Sequence, residues 1–339
     1  MRAVVVADEG FRIVELERPR PGPGEVLVKM LACGLCGTDV EKLEGRYRGS
    51  KPILGHEAAG VVVELGDGVA GLEPGDLVVP HHHTNCGECY YCLNGSPTMC
   101  PSYREYNFFP GGFSEYFTVP RFIVERGGVY RVPSGLSPLQ ACLTEPTACA
   151  LRALKRIHDD KTHSYAVVGL GPMGITFLQL LKWRGSELII GLDVNEARLE
   201  MAGRYGAITL NPQRGNAAEQ VKRLTEGRGV DASIVAAGSP AALSLAITLT
   251  RRGGRVCLFA VPPHGSQLQH DLSDLLVREI SIISSNAATE QEMREALELV
   301  SEKVVDAEGL ITNRYRIEEF GEAIKTFKAG TGLKVAITP

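Results

Sequence analysis

The segment "PHHHTNCGECYYCLNGSPTMC", Pro80 to Cys100, packs three histidines and four cysteines into one short stretch, and both residue types bind metals. Cys86, Cys89, Cys92 and Cys100 follow the spacing C-x2-C-x2-C-x7-C. Four thiolates on one short loop can close a tetrahedron around a zinc ion and leave no position for a substrate. The set therefore predicts a structural site that holds a lobe together over residues 86–100. His81, His82 and His83 are a separate matter. Side chains alternate along an extended segment and cannot all face one metal, so a polar strand end is the expectation for them.

A sparser group carries more chemistry. "CGLCGTD" offers Cys36 beside Thr38, and "LGHEAAG" offers His56 and Glu57. A thiolate, an imidazole and a carboxylate from separate segments can hold zinc with one position left open for a reacting oxygen. Cys33 and Cys36 also fit a redox C-x-x-C, but the βαβ setting of that motif is missing here.

A third constellation is Gly169-Leu170-Gly171-Pro172-Met173-Gly174, which fits G-x-G-x-x-G, follows the strand "YAVV" and opens a helix. Side chains at those glycines would block the turn, the approach of a pyrophosphate to backbone N–H groups, and close helix–strand packing. Asp193 ends the next strand, "ELIIGLD", where an acid accepts from ribose hydroxyls or else caps the helix "NEARLEMA". An acid there repels a 2′-phosphate and favours NAD over NADP, although Arg198 stands near enough to accept one. Ala260, Val261, Ser285 and Asn286, at the ends of later strands, complete the expected cofactor-binding set.

The elements that must position these residues fall into two kinds. Up to about Pro133 the chain is strand-like, with short β-branched runs cut by Gly and Pro, and the opening "MRAVVVADEGFRIVEL" reads as two strands around a turn and not as a signal peptide. Near Ser137 a helix begins with Pro138 in its first turn. After it "YAVVGLG", "ELIIGLDV", "VDASIVAAG", "GRVCLFA" and "ISIISSN" alternate with helices such as "PMGITFLQLLKWRG", the pattern of a parallel sheet covered on both faces. The tail, from "TEQEMREALELVSEK" to "LKVAITP", lacks that alternation.

A length of 339 residues allows two cores, and a net charge of -4 gives no electrostatic reason to bind nucleic acid or an anionic membrane. No apolar run is long enough to span a bilayer. Nine cysteines without an export signal point to metal ligation in a reducing compartment, and the cytoplasm is the expected location.

Taken together, "CGTD", "GHEAAGVVVELGDGV", the four-cysteine lobe, "GGFSEYF" and "GLGPMG" stand in an order that resembles the zinc-dependent medium-chain alcohol and polyol dehydrogenases, especially the sorbitol and threonine dehydrogenase branches. The resemblance spans nearly the whole chain. It implies an α/β fold: a GroES-like β-barrel catalytic domain over residues 1–148, a Rossmann doubly wound parallel-sheet domain over 149–286, and a segment 287–339 that completes the first. It also implies NAD, one catalytic and one structural zinc, a small-molecule alcohol or polyol substrate, and homodimers or homotetramers. By the same resemblance Cys36 and His56 are catalytic zinc ligands, Glu57 or Glu145 of "TEPTA" supplies the third position, and Thr38 relays a proton. Cys142 and Cys149 flank Glu145, near the position where alcohol dehydrogenases of this family place a second cysteine.

Glu41 departs from the pattern, because threonine dehydrogenases have histidine there, and this makes threonine a weaker substrate candidate. The expected reaction is reversible oxidation of a secondary hydroxyl to a ketone, with polyols, sugars or cyclitols ahead of simple secondary alcohols. The segment "YRGSKPI" and Phe108, Phe109 and Phe113 are candidates for the pocket wall, with core packing the alternative for these aromatics. A metal-free quinone reductase would lack Cys36, His56 and the lobe, and a nucleic-acid-binding zinc module would need a basic face.

Overall fold

The β-branched runs "VLVKMLACG" and "EAAGVVVEL" form the long antiparallel pair Val26–Gly34 and Glu57–Leu65, with Gly34 opposite Glu57. Around it a sheet runs in the order Ile311–Arg316, Lys334–Thr338, Val26–Gly34, Glu57–Leu65, Leu77–Pro80, Val129–Arg131, and Tyr116–Val119 also pairs with Val26–Gly34. The computed structural model describes residues 1–46 and 53–339, so most of "YRGSKPI" lies outside the described residues. This unit comprises Met1–Ala148 with Ala288–Pro339. The tail has no strand–helix alternation because its last strand is an inner strand of this sheet, set against Cys33 and Gly34. Val28, Met30, Val62, Phe108, Phe113, Phe117 and Phe320 fill the core, and Arg2–Val6 and Phe11–Glu15 form the opening hairpin.

Residues Cys149–Ala287 form the second unit. Its six strands are all parallel, in the order Ile208–Leu210, Leu188–Leu192, Ser164–Val168, Val230–Val235, Thr250–Leu258, Ser281–Ser284. Numbered within the unit, that order is 3-2-1-4-5-6, the doubly wound arrangement whose ligand crevice opens where the order reverses, beside the first strand. Ile208–Leu210 and the helix Ala217–Leu224 escape the sequence reading because a three-residue strand shows no period. The helix expected from Ser137 is broken in two, Pro138–Ala141 and Thr144–Ile157. Among the described residues no helix is long and apolar enough to cross a membrane.

Asp231 staples three strand starts of this sheet. One oxygen accepts from the His163 and Ser164 N–H groups at 3.1 and 2.9 Å and from the Ser164 hydroxyl at 2.7 Å, and the other accepts from Arg251 Nε at 2.6 Å. Burial opposes its ionisation, but Arg251, the Ser164 hydroxyl and the two N–H groups hold its pKa below the ordinary value. A lowered carboxylate contributes stability that is complete above about pH 4 and is lost as pH falls through the folded-state value. Asp231→Asn is expected to cost about 1–3 kcal/mol at neutral pH. Thermal denaturation of both proteins should show the gap closing below about pH 4; a gap independent of pH would contradict the assignment.

Candidate active site

Because Val26–Gly34 and Glu57–Leu65 run antiparallel, the end of the first strand delivers Cys36 beside the start of the second, where His56 and Glu57 stand. One ligand atom from each of these three residues lies within 4.8 Å of the others. Cys36 is half-buried, and His56 and Glu57 are buried. Asp39 lies in the first turn of the helix Gly37–Leu43 and has no solvent exposure. Its Oδ2 accepts from the Cys36 N–H at 3.1 Å, and its Oδ1 accepts from the Gly55 N–H at 3.0 Å and lies 3.4 Å from His56 Nδ1. One carboxylate thus fixes both ligand loops. Burial acts to lower the His56 pKa, but Asp39 and Cys36 outweigh it and raise the value well above normal. The contact with Asp39 is electrostatic, and His56 Nδ1 makes no well-formed hydrogen bond.

Glu57 is paired with Lys334, whose Nζ lies 2.5 Å from each carboxylate oxygen and donates to Oε1, leaving Oε2 without a well-angled donor. Both residues are buried. Burial works against the ammonium, but Glu57 and Cys36 raise the Lys334 pKa. The sequence reading missed Lys334; its signal is a lone cation in the apolar strand "KVAIT". A Cβ on Gly34 would stand 1.9 Å from Glu57 Oε2 and 2.9 Å from Lys334 Cε, so only glycine leaves room for the pair.

Of the other expected residues, Thr38 places its Oγ1 3.9 Å from Cys36 Sγ. Glu41, half-buried on the same helix, has its pKa raised by burial, with Arg46 opposing and Glu44 reinforcing. Glu145 is buried in the first turn of Thr144–Ile157 and stands outside the Cys36–His56–Glu57 group. Burial and the nearby Glu57 push the Cys142 thiol up to about 12, so it stays protonated. Cys33 is fully buried with a raised pKa, for which burial is the main cause, unlike a reactive redox thiol. Phe108 and Phe113 belong to the core, while Phe109 is 63% exposed.

In the lobe, ligand atoms of Cys86, Cys89, Cys92 and Cys100 lie within 4.8 Å of one another. Sγ separations are 3.9 Å for Cys86–Cys92 and 3.5 Å for Cys89–Cys92. A tetrahedron with bonds of about 2.3 Å sets its sulfurs about 3.8 Å apart, so the set fits zinc. Backbone N–H groups already point at two of the sulfurs: Cys89 donates to Cys86 Sγ at 3.3 Å and Cys86 to Cys100 Sγ at 3.4 Å. Asn85 anchors the lobe by donating through its N–H and side chain to Glu290 at 3.0 and 2.6 Å.

The three histidines do not form a polar strand end. The strand stops at Pro80, so alternation does not govern them, and His81 and His82 are buried with His83 half-buried. The His82 ring lies tilted against its neighbours, its centroid 3.8 Å from that of His83 and 4.9 Å from that of His56. Both nitrogens of His81 and the Nδ1 atoms of His82 and His83 are buried without hydrogen-bond partners among the described residues.

At the glycine turn, Gly169 has φ +99°, and a Cβ on Gly174 would stand 2.0 Å from Gly169 O. Gly171 caps the helix Pro172–Trp183 without a side-chain hydrogen bond and faces open space, where a Cβ would meet only Arg198 Nη1 at 3.9 Å. Free N–H groups at a helix start beside a cradle that a Cβ would fill fit a pyrophosphate. Asp193 does not cap the following helix; Asn195 does. Asp193 instead accepts from the Leu170 N–H of the turn at 2.7 Å and from the Asn195 N–H at 2.9 Å, with Arg198 Nη1 3.8 Å away. Met173 follows Pro172 in the first turn of the helix, and the Ala260 N–H donates to Val235 O at 2.9 Å, with Val261 exposed beside it. Ser285 Oγ and Asn286 O both accept from Arg152 at 3.4 and 3.5 Å, contacts the sequence does not reveal.

Lys334→Met should cost about 3–5 kcal/mol by leaving Glu57 buried and unpaired, and Lys334→Met/Glu57→Gln should regain most of it. Gly34→Ala should destabilise similarly by forcing the pair apart. Denaturant unfolding of the three variants checks this; a Lys334→Met protein as stable as wild type would contradict the pair's role.

Comparison with known proteins agrees with this architecture. Residues 22–126 match the alcohol dehydrogenase GroES-like domain, and residues 172–302 match the zinc-binding dehydrogenase family. The chain is 33% identical to a sorbitol dehydrogenase of Halalkalibacterium halodurans over 100% of this chain and 99% of that protein. It is 31% identical to an L-threonine 3-dehydrogenase of Pyrococcus horikoshii over 96% of this chain and 94% of that one. Among solved structures, an alcohol dehydrogenase of Escherichia coli in complex with NADH superposes with a TM-score of 0.88 at 27% identity, over 100% of this chain and 99% of that one. A protein of Sinorhizobium meliloti described as a zinc-binding dehydrogenase and bound to NADP gives 0.90 at 28% identity, with the same coverage. The fold is a GroES-like domain with a Rossmann domain, and the chain belongs to the zinc-dependent medium-chain dehydrogenases, oxidoreductases that act on the CH–OH groups of alcohols and polyols.

Proposed function

We propose that this chain reversibly oxidises a secondary hydroxyl of a polyol, sugar or cyclitol to a ketone, with NAD as hydride acceptor and two zinc ions per chain. The Cys36–His56–Glu57 group carries this reading, because three ligands of different kinds leave a coordination position open. The four-thiolate lobe leaves none. The named sorbitol dehydrogenase relative supports the substrate class, and Glu41 in place of histidine weighs against threonine.

Zinc held by Cys36 and His56, with Glu57 or Glu145 as third protein ligand, supplies Lewis acidity toward the substrate oxygen, and NAD supplies the hydride acceptor. Asp39 orients His56 and fixes the Cys36 loop, so that the ligand atoms need not reorganise. The Thr38 hydroxyl, beside Cys36 Sγ, accepts the substrate proton and passes it on, and Glu41 is a candidate next carrier. The turn Gly169–Gly174, with Pro172 and Met173 opening its helix, would receive the pyrophosphate. Asp193, with Arg198 beside it, would accept from the ribose hydroxyls, which favours NAD over NADP. Nine free cysteines suit the cytoplasm, and exposed Leu272, Leu276 and Val277 offer an apolar surface for the proposed dimer or tetramer.

Zinc-loaded protein should reduce NAD with a sugar alcohol or cyclitol at a kcat/KM about tenfold or more above that with L-threonine, and should prefer NAD to NADP. Cys36→Ala and His56→Ala should abolish turnover with circular dichroism unchanged, whereas Cys89→Ala should first lower Tm. Turnover by metal-stripped protein would refute the mechanism, and a preference for L-threonine or a simple alcohol would refute the substrate class alone.

A further inference from the structure

We infer that Lys42 is a positioning residue for the candidate zinc site: it holds the loop that delivers His56, and so fixes where that imidazole points. This rests on the proposed dehydrogenase reading and adds to it a residue that acts through the loop. Lys42 sits on the helix Gly37–Leu43 and is 9% exposed, and its Nζ donates to Ile53 O at 2.6 Å, three residues before His56. A lysine is almost never buried without a partner, and its long stem ordinarily carries the ammonium out to water. Here the ammonium ends instead on a backbone carbonyl eleven residues along the chain.

The other polar contacts of this loop show what the lysine adds. Asp39 stands three residues before Lys42, and so on the same face of the helix, and its Oδ1 accepts from the Gly55 N–H at 3.0 Å. Gly55 O accepts in turn from the Gly112 N–H at 3.0 Å. The segment Gly111–Phe113 packs against the loop backbone: a Cβ on Gly111 would stand 2.5 Å from Leu54 O, and one on Gly112 2.5 Å from Gly55 O. A single hydrogen bond from the helix to Gly55 would let the chain before it turn about that point. The bond to Ile53, of opposite polarity and two residues away, removes that freedom. One helix thus grips the loop twice just before His56.

Packing alone does not account for the residue. An apolar side chain of the same length would fill the space without taking an ammonium out of water, and would leave Ile53 O without this donor. Pairing along the helix does not account for it either, because the carbonyl lies outside the helix, on the segment that ends in a candidate ligand. The same helix begins beside Cys36, whose N–H donates to Asp39, so its grips set the thiol and the imidazole in one frame.

The test loads wild type and variants with cobalt(II), which reports the two sites separately because four thiolates and a mixed ligand set give different visible spectra. Lys42→Met should shift the bands of the mixed-site ion and weaken its binding about tenfold in chelator competition, with the four-thiolate ion unchanged in both. Lys42→Arg, which keeps a charged donor, should restore most of the bands and the affinity. Lys42→Gln, which keeps a donor but falls one bond short, should show the same shift to a smaller degree, and it carries the test if Lys42→Met does not fold. A lysine that served only stability would lower Tm and leave the mixed-site bands in place. Mixed-site bands and affinity equal to wild type, or equal weakening of both ions, would overturn the assignment and leave the dehydrogenase reading standing. Wild-type protein that takes up only the four-thiolate ion would overturn the mixed site, and with it both Lys42 and the reaction. Variants that behave as expected in a protein that oxidises no alcohol uphold Lys42 and overturn the reaction.

Discussion

Asp39 is wholly buried, and its two oxygens reach three places: the Cys36 N–H, the Gly55 N–H and the edge of His56. A buried carboxylate costs several kcal/mol unless partners surround it. Here the partners are the two loops that must be brought together. Burial opposes its ionisation, but His56, Lys42 and the Gly55 N–H lower its pKa, so the charge persists and with it the constraint. The antiparallel pair brings the loops close, and Asp39 turns that closeness into a fixed relation between a thiol and an imidazole. The Glu57–Lys334 pair does similar work on the other side, tying the final strand to the same place across a separation of 277 residues.

The two groups able to hold a metal differ by the physics of coordination and not by the number of ligands in the sequence. Four sulfurs, two of them with N–H groups aimed at them, would form a closed set whose strongest effect is on the lobe itself, which Asn85 and Glu290 moor to the returning segment. The mixed set is poorer in ligands and richer in surroundings: a buried carboxylate behind the histidine, a hydroxyl beside the cysteine, and the His82 ring against His56. Chemistry needs an open position and a shaped neighbourhood, and of these two sets the second is the one we propose to supply both.

Local signals make much of this legible in the sequence. The cysteine spacing, the glycine turn and the strand–helix alternation are each read within one element, so the lobe, the turn and the parallel sheet can be anticipated. Lys334 is not legible in the same way, because its partner depends on how the last strand pairs with Val26–Gly34. The histidines mislead for a definite reason: alternation applies to strands, and the strand ends at Pro80. Whether Asp193 or Asn195 caps the following helix is likewise not legible in the sequence, and in the structure Asn195 does. Ile208–Leu210 is simply too short to carry a period.

In the reading proposed here for the site, one buried carboxylate, Asp39, assembles an open zinc site from two loops, independently of the closed one. Chelator competition on zinc-loaded Asp39→Asn measures this directly. One of two zinc ions should be held about ten- to a hundredfold more weakly than in wild type, while the four-thiolate ion keeps its affinity. Two ions bound with wild-type affinities would contradict it.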